Sequence, residues 1–461
     1  VHVILDFLVL AFILGAGFFL TTRAIPWVVI HGLRTLGFRV EASPVTLKRI
    51  SRFKRIKRGY WSFLAIATLF VTSFFLELIV NGRPLVVHYE DRTAFPAVSE
   101  WAGKVIFFAP ISFFEKASDF GQPGDSEVDY HRFARDSKDP SLLRAEIDDG
   151  RKAVAEERTQ LAAAKGKSPG DRMRAASKKT ALDRREEELA GLEKTYTVFA
   201  AGKAWCVMPL YPFGPSEFRH ELAVAPPNKP SLGDGIPLGT DESGRDVLVL
   251  LAYGFRISLA FALVVAAIGY AFGTIFGAVQ GYYGGWTDII FQRLEEIWSA
   301  IPFLFLIMII ASLMTPTFLL LVGLMVVLVS WLGITMYMRA EFYREKAKDY
   351  VQAAIGCGVS DWKIMTRHIL PNALVPLVTF APFAVVGYIF SLVSLDYLGF
   401  GLPPGTPSWG DLLRQGLENV KFYPHLITIP TAALVLTLFA VVMIGEAVRE
   451  AFDPKVFSRL R

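Results

Sequence analysis

Few residues in this chain have the types and spacing that chemistry requires. Gly166-Lys167-Ser168 has the composition that closes a phosphate-binding loop, but that loop needs a glycine five residues earlier, and position 161 is Leu161. No other segment resembles a nucleotide site, so any ATP is expected on a partner. Two cysteines, Cys206 and Cys357, lack metal-ligand spacing, and no metal site is expected. A different kind of work, mechanical and not covalent, suits Gln352-Ala353-Ala354-Ile355-Gly356-Cys357-Gly358, followed after eleven residues by Leu370-Pro371. Small residues allow close approach to a helix, Gly358 ends it, and Pro371 starts the next. The charged run Tyr343–Tyr350 precedes it. Such a segment is a short helix across a membrane face, shaped to fit a groove on a soluble partner.

The elements that must position this segment are apolar. The chain has 461 residues, 53% of them hydrophobic. A hydrocarbon core about 30 Å thick needs roughly 20 apolar helical residues. Stretches of this kind lie near 3–22, 60–80, 257–280, 292–314, 318–338, 373–398 and 426–445. The first lacks a basic leading region and a small-residue cleavage site and carries Asp6, so it reads as an extra membrane helix and not a signal peptide.

Formal net charge is only +5, but its distribution orients the chain. Seven basic residues and no acid lie between Lys48 and Arg58, directly before the stretch at 60–80. This block is expected in the cytosol beside anionic headgroups, and not on nucleic acid. Arg339, Arg344, Lys346, Lys348, Lys363 and Arg367 mark a second cytosolic loop, while the loop 399–425 carries only Arg414 and Lys421 and reads as external. The tail, with Arg449, Lys455, Arg459 and Arg461, is cytosolic. Cys206 and Cys357 then fall on opposite sides of the membrane, which disfavours a disulfide between them.

Residues from 81 to about 250 form one long external segment. Its first part mixes turn residues with β-prone runs such as Val105-Ile106-Phe107-Phe108 and suggests a small folded lobe. In Ser141–Lys194, Leu143, Ile147, Val154 and Leu161 recur on one arm and Leu182, Leu189 and Leu192 on the other, around a Pro169-Gly170 break. That pattern predicts an antiparallel helical hairpin; a flexible charged linker is the alternative. Pro- and aromatic-rich residues 207–238 return the chain to the membrane.

At this point the chain resembles a known family. Ala353-Ala354, Gly358 and Leu370-Pro371 are similar to the coupling-helix signature of binding-protein-dependent ABC importer permeases, with Gln352 where the family usually has Glu. Leu238–Leu248, Tyr253–Leu259, Gly281–Trp286, Arg367–Asn372, Leu398–Gly401, Thr406–Gly410 and Asp453-Pro454 resemble motifs of its dipeptide/oligopeptide branch, in order, over 238–455. The large insertion resembles the Yej-type oligopeptide/microcin C permease subunits.

The resemblance implies an all-α polytopic membrane protein with a six-helix type I permease core, one extra N-terminal transmembrane helix and a large external α+β insertion. The implied division is 1–23 extra helix, 24–59 basic cytosolic segment, 60–80 first core helix and 81–238 insertion. A core over 239–455 follows, with five transmembrane helices and a coupling helix near 346–366, and then a tail over 456–461. The implied location is the bacterial inner membrane. The implied partners are a second permease, ATP-binding cassette subunits that carry ATP and Mg, and an external peptide-binding protein. No cofactor or covalent chemistry is expected on this chain. Gln352, Ala353, Ala354, Gly358, Asp361, Leu370 and Pro371 would couple to the ATPase. Gly239, Thr240, Asp241, Gly244, Arg245 and Asp246 would form an external gate near the binding protein. The alternative for the latter is an interfacial helix capped by Asp241, with Arg245 snorkelling. Asp396, near the outer end of 373–398, could meet a substrate's amino group or be a solvated helix end. Two rivals remain: an ion-coupled secondary transporter, which would call for inverted repeats and mid-membrane acids, and a membrane-anchored sensor, which leaves the coupling segment without purpose.

Overall fold

The computed structural model describes residues 2–35, 44–106, 115–124, 126–163, 169–219, 222 and 224–452. It forms two compact units, one of Val3–Ser73 with Phe218–Arg461 and the other of Phe74–Glu217. The first unit begins with α1 (His2–Phe19) and α2 (Ile25–Thr35), joined by a π-helical turn at Leu20–Ala24. Pro26 has no N–H and its ring crowds the preceding turn. The wider turn, in which the Ile25 N–H reaches back to the Leu20 carbonyl, absorbs this without ending the helix. The apolar stretch therefore continues past the expected 3–22, as Val9–Gly32. The basic α3 (Pro44–Arg55) leads into α4 (Lys57–Ser73). At 17 residues α4 spans about 25 Å. It stops short of the expected 60–80 because Ser73 turns its hydroxyl onto Phe70 O and its carbonyl is taken by the Arg256 guanidinium at 3.0 Å.

The second unit holds α5 (Leu76–Ile79), β1 (Val86–Tyr89), β2 (Arg92–Ala94), α6 (Pro96–Ile106), α7 (Tyr130–Lys138), α8 (Pro140–Ala163), α9 (Pro169–Ala200) and β3 (Ala204–Val207). The sheet is antiparallel in the order β2-β1-β3, with Val87 opposite Ala94 and Cys206. Helices α8 and α9 form the expected hairpin. Leu143, Ile147 and Val154 are buried with Leu182, Leu189 and Leu192, and Phe120, Phe133 and Phe199 complete the core. Arg158 pairs with Asp183 and Glu186 across the two arms, at 2.6 and 2.8 Å. Val105 and Ile106 end a helix and are not strand, while Phe107-Phe108 and Gly166-Lys167-Ser168 lie outside the described residues. On α7, Asp136 is buried against Arg135 at 2.9 Å, and burial raises its carboxyl above the usual value.

The first unit resumes with α10 (Val247–Tyr283), α11 (Gly285–Ser299), α12 (Phe303–Leu313), α13 (Phe318–Met325), α14 (Leu332–Lys346), α15 (Asp349–Gly356), α16 (Asp361–Lys363), α17 (Leu370–Ala373), α18 (Val375–Tyr397), α19 (Trp409–Glu418) and α20 (His425–Phe452). Among the described residues, four helical stretches are long and apolar enough to cross a membrane: Val9–Gly32, Val247–Tyr283, Val375–Tyr397 and His425–Phe452. Two bent pairs add to them, α11 with α12 at 65° and Phe318–Ser330 with α14 at 45°. The first bend falls at Pro302, which leads into α12 in extended conformation; the second follows a π-helical turn at Val326–Ser330.

Helix α10 is the spine of this unit. Gly269, Gly273, Gly277 and Gly281 recur every four residues; Gly269 presents bare backbone to Ser330, in the π-helical turn before α14, and the other three to Trp331 and α14. A Cβ at Gly277 would lie 2.6 Å from Thr335 O, and one at Gly273 the same distance from Trp331 O. Such a small-residue stripe lets two helices meet at backbone contact. Phe261, Val265, Ile307, Leu321, Met325, Ile389 and Leu392 fill the adjoining core.

Candidate functional sites at the two ends of the central helix

At the C-terminal end of α10 lies the segment 346–373. Helix α15 is seated by Val351, which is fully buried with Ile334, Met338, Phe342, Ile364 and Ile369, and by the half-buried Ala354 packed on the same core. Gln352, Ala353, Gly356, Cys357 and Gly358 are exposed. Its end is built by hydrogen bonds from Gly358 N to Ile355 O (2.9 Å) and from Val359 N to Ala354 O (3.1 Å), with Gly358 at φ +71°. This is a Schellman ending, and the left-handed conformation it needs favours glycine.

The segment is tied to its neighbours by polar contacts from both sides. Asp361 accepts the Tyr282 hydroxyl (2.6 Å), and Lys346 reaches the Tyr282 carbonyl (2.6 Å). Glu345, almost fully buried, accepts from Lys348 (2.6 Å) and from the Tyr350 hydroxyl (2.8 Å). The Gln352 amide donates to Lys346 O at 2.7 Å, a bond that a glutamate there could not make. Leu370 packs on the same core, and Pro371 occupies the first turn of α17, where a missing N–H costs nothing. The seven residues expected to couple to a partner are thus brought into one corner. Burial and the bond to Glu345 both hold the Tyr350 hydroxyl above its ordinary value.

At the N-terminal end of α10, the loop 238–246 folds on itself. Asp241 is fully buried; one oxygen accepts the Ser243 and Arg245 N–H groups (3.0 and 2.8 Å), and the other the Arg245 guanidinium. Arg245 also reaches Gly405 O at 3.3 Å and Asp411 at 3.7 Å. The cap of α10 is Asp246, which accepts from Leu248 N at 2.8 Å and pairs with the buried Arg219 at 3.6 Å. The alternative expectation of an Asp241 cap with a snorkelling Arg245 is therefore corrected. A carboxylate buried beside an arginine and two N–H groups has its lone pairs satisfied there, and Arg245 is buried with it. Gly239 and Gly244 both have positive φ, at +81° and +86°, and a Cβ on Gly239 would lie 2.5 Å from Asn228 O. The Thr240 hydroxyl accepts from Asn228 N at 2.8 Å.

Asp396 is 7% exposed, and both of its oxygens are used within the chain. They accept from the Ser408 hydroxyl (2.5 Å) and Leu402 N (2.7 Å), which holds the turn between α18 and α19. A substrate amine would have to displace these bonds, so the geometry favours a loop-holding role over a substrate contact. Cys206 and Cys357 are both free thiols. Sequence reasoning missed Tyr282, Glu345, Arg219 and the glycine stripe. The stripe carried a local signal, its period of four; Tyr282 and Arg219 act through partners distant along the chain, and Glu345 through Lys348 and Tyr350 close by.

Comparison with known proteins places the chain in a family. The family model described as "Binding-protein-dependent transport system inner membrane component" matches residues 249–458. A peptidoglycan transport system permease protein, YejE, of Agrobacterium fabrum (strain C58) is 35% identical, over 90% of this chain and 94% of its own length. An inner membrane ABC transporter permease protein, YejE, of Escherichia coli (strain K12) is 34% identical, over 89% and 98%. An oligopeptide transport system permease protein, OppC, of Haemophilus influenzae is 39% identical, over 47% of this chain and 70% of its own. With two relatives aligned over nearly their full length, the chain belongs to the family of binding-protein-dependent transport system inner membrane components.

Proposed function

We propose that this chain is a transmembrane permease subunit of an ATP-driven importer of peptides or peptide-like compounds, in a bacterial inner membrane. The observation that carries this reading is α15, a helix seated by Val351 and Ala354, ended by a Schellman turn and otherwise exposed. It has no side chain fit for covalent work and a shape fit for a groove. Gln352, Ala353, Ala354, Gly358 and Asp361 form the coupling surface, and Leu370 and Pro371 return the chain to the membrane. The basic side of the chain, including the α14–α17 corner, faces the cytosol, and 81–238 is the external insertion. Peptide cargo is supported by the names of the relatives, which include oligopeptide and peptidoglycan transport systems.

The mechanism is alternating access. ATP closes separate cassette subunits, which hold ATP and Mg; their movement drags α15, and because Asp361, Lys346 and Val351 fasten that corner to α10 and α14, the pull reaches the spine. The corner built by Asp241, Arg245 and Asp246, with Gly239, Thr240 and Gly244, is the external gate beside the binding protein. A second permease completes the path. Co-purification from the native membrane tests this reading: wild type should bring down a cassette ATPase and a second permease, and Gly358→Arg should lose the ATPase. Wild type emerging with no ATPase would sink it.

A further inference from the structure

A cavity of about 330 Å³ lies between α10, the π-helical turn Val326–Ser330, α14 and α18. Tyr270, Ser330, Ile334 and Tyr388 line its buried side, and Gly333 and Tyr337 its open side. The elements around it are apolar stretches able to span a membrane, and the span that includes α14 bends by 45° at this point. Irregular backbone at membrane depth is tolerated where it is buried in protein or lines a cavity, and broken spans frame substrate sites in other transporters. Here the Tyr388 hydroxyl donates to Ser330 O, at the end of the π-helical turn, at 3.2 Å.

The walls are aromatic and held in place. Tyr337 stacks on Phe380 with ring centroids 4.2 Å apart, joining α14 to α18. Phe383 is seated on α20, where a Cβ on Gly445 would lie 2.9 Å from its ring. Among the described residues no charged side chain lines the cavity, so a charged group entering it would lose water without gaining a counterion. An aromatic ring has no such cost and gains edge and face contacts with the walls. An apolar cavity of about 150 Å³ holds a benzene, so this one has room for a phenyl side chain and the backbone beside it.

A second observation is polar. Tyr270 is 8% exposed, and its hydroxyl has no hydrogen-bond partner among the described residues. A hydroxyl kept from water without a partner is costly. A lipid acyl chain has nothing to offer it, whereas a peptide amide offers both a donor and an acceptor.

We propose that this cavity receives an uncharged aromatic side chain of the transported peptide, with the Tyr270 hydroxyl on the adjoining peptide main chain. This rests on the peptide reading above and adds to it a side-chain preference built into this chain.

The test uses the assembled importer with its binding protein in liposomes, and measures ATP-driven uptake of Ala-Phe-Ala, Ala-Ala-Ala and Ala-Lys-Ala. The binding protein is common to wild type and variants, so a changed ratio between peptides reports on this chain. Gly333→Leu fills the cavity from a lining position where an added Cβ meets no atom within 4 Å, and leucine favours a helix over glycine. It should lower uptake of the Phe peptide about tenfold more than that of the Ala peptide, the scale of burying a phenyl ring in part. Equal loss for the two, or none, overturns the site, and so does a loss greatest for the Lys peptide, which would make the rings a cation site. Tyr270→Phe removes a hydroxyl that no described residue uses, so the fold is kept. It should lower uptake of the Phe and Ala peptides alike by a few-fold; unchanged uptake overturns the main-chain contact. If Gly333→Leu instead releases the second permease on purification, the cavity belongs to the subunit interface and the proposal falls. If wild type accumulates none of the peptides, the peptide reading fails and the site falls with it. If wild type accumulates them and neither variant behaves as stated, the site alone fails.

Discussion

Asp241 binds Arg245 twice, through the Arg245 main-chain N–H and through its guanidinium, at 2.8 Å each. Both residues are buried, so a single carboxylate fixes the backbone of the loop and neutralises the cation that reaches across to Gly405. Removing one member of a buried pair leaves the other charged and without compensation. Asp241→Ala is expected to destabilise the protein by about 3–5 kcal/mol. Thermal unfolding in detergent checks this, and a change below about 1 kcal/mol would contradict the assignment.

Gly358 tests the end of the exposed helix. A Cβ there would meet no atom within 4 Å, so any effect of substitution comes from the backbone, at φ +71°. Gly358→Ala should cost about 1–2 kcal/mol locally, and Gly358→Asn clearly less, because asparagine tolerates the left-handed region. Hydrogen exchange at positions 358 and 359 should rise more for Gly358→Ala than for Gly358→Asn. Equal exchange in both variants would remove the Schellman ending from the account.

The glycine stripe of α10 predicts a contrast between two substitutions of the same chemistry. Gly277→Ala would press a methyl against the α14 backbone and should cost about 1–3 kcal/mol. Gly387→Ala, in α18 with open space at its Cβ, should be neutral or stabilising by up to about 1 kcal/mol. Unfolding of the two variants side by side is the measurement, and similar losses would argue against backbone contact between α10 and α14.

Asp136 carries a pH dependence with a definite sign. Burial raises its carboxyl above the ordinary 3.8, outweighing Arg135 and Arg132. A group whose folded value is raised contributes stability that is fully present below the unfolded value and lost as pH rises through the folded one. Relative to Asp136→Asn, wild type should therefore gain stability as pH is lowered from 7 toward 4. Unfolding of both across that range decides it, and a difference that is flat or grows with pH would show the carboxyl is not raised.

The helical hairpin and the type of membrane protein were legible in the sequence, because each rests on local periodicity; of the seven apolar stretches expected, the one at 60–80 is not among the helices long enough to span. Leu143, Ile147 and Val154 on one arm and Leu182, Leu189 and Leu192 on the other are spaced for one helical face, and all are buried together. The ends of elements were less legible. The stretch at 60–80 ends as a helix at Ser73 because Arg256, 183 residues away, takes its carbonyl. Likewise the stretch expected at 3–22 runs on, because a π-helical turn carries the helix past Pro26 to Thr35.

By itself the sequence determined that this chain enters a bilayer, since burying runs of about 20 apolar residues in hydrocarbon depends on composition alone. It also determined where α15 must stop, because glycine at Gly358 is read directly. Only the tertiary structure decided which carboxylate caps α10, that Asp396 is spent on Ser408 and Leu402, and that Glu345 and Tyr282 fasten the exposed corner. The reason is physical: a charged group's role depends on which donors reach it and how much water is excluded, and both are set by the folded surroundings and not by the residue type.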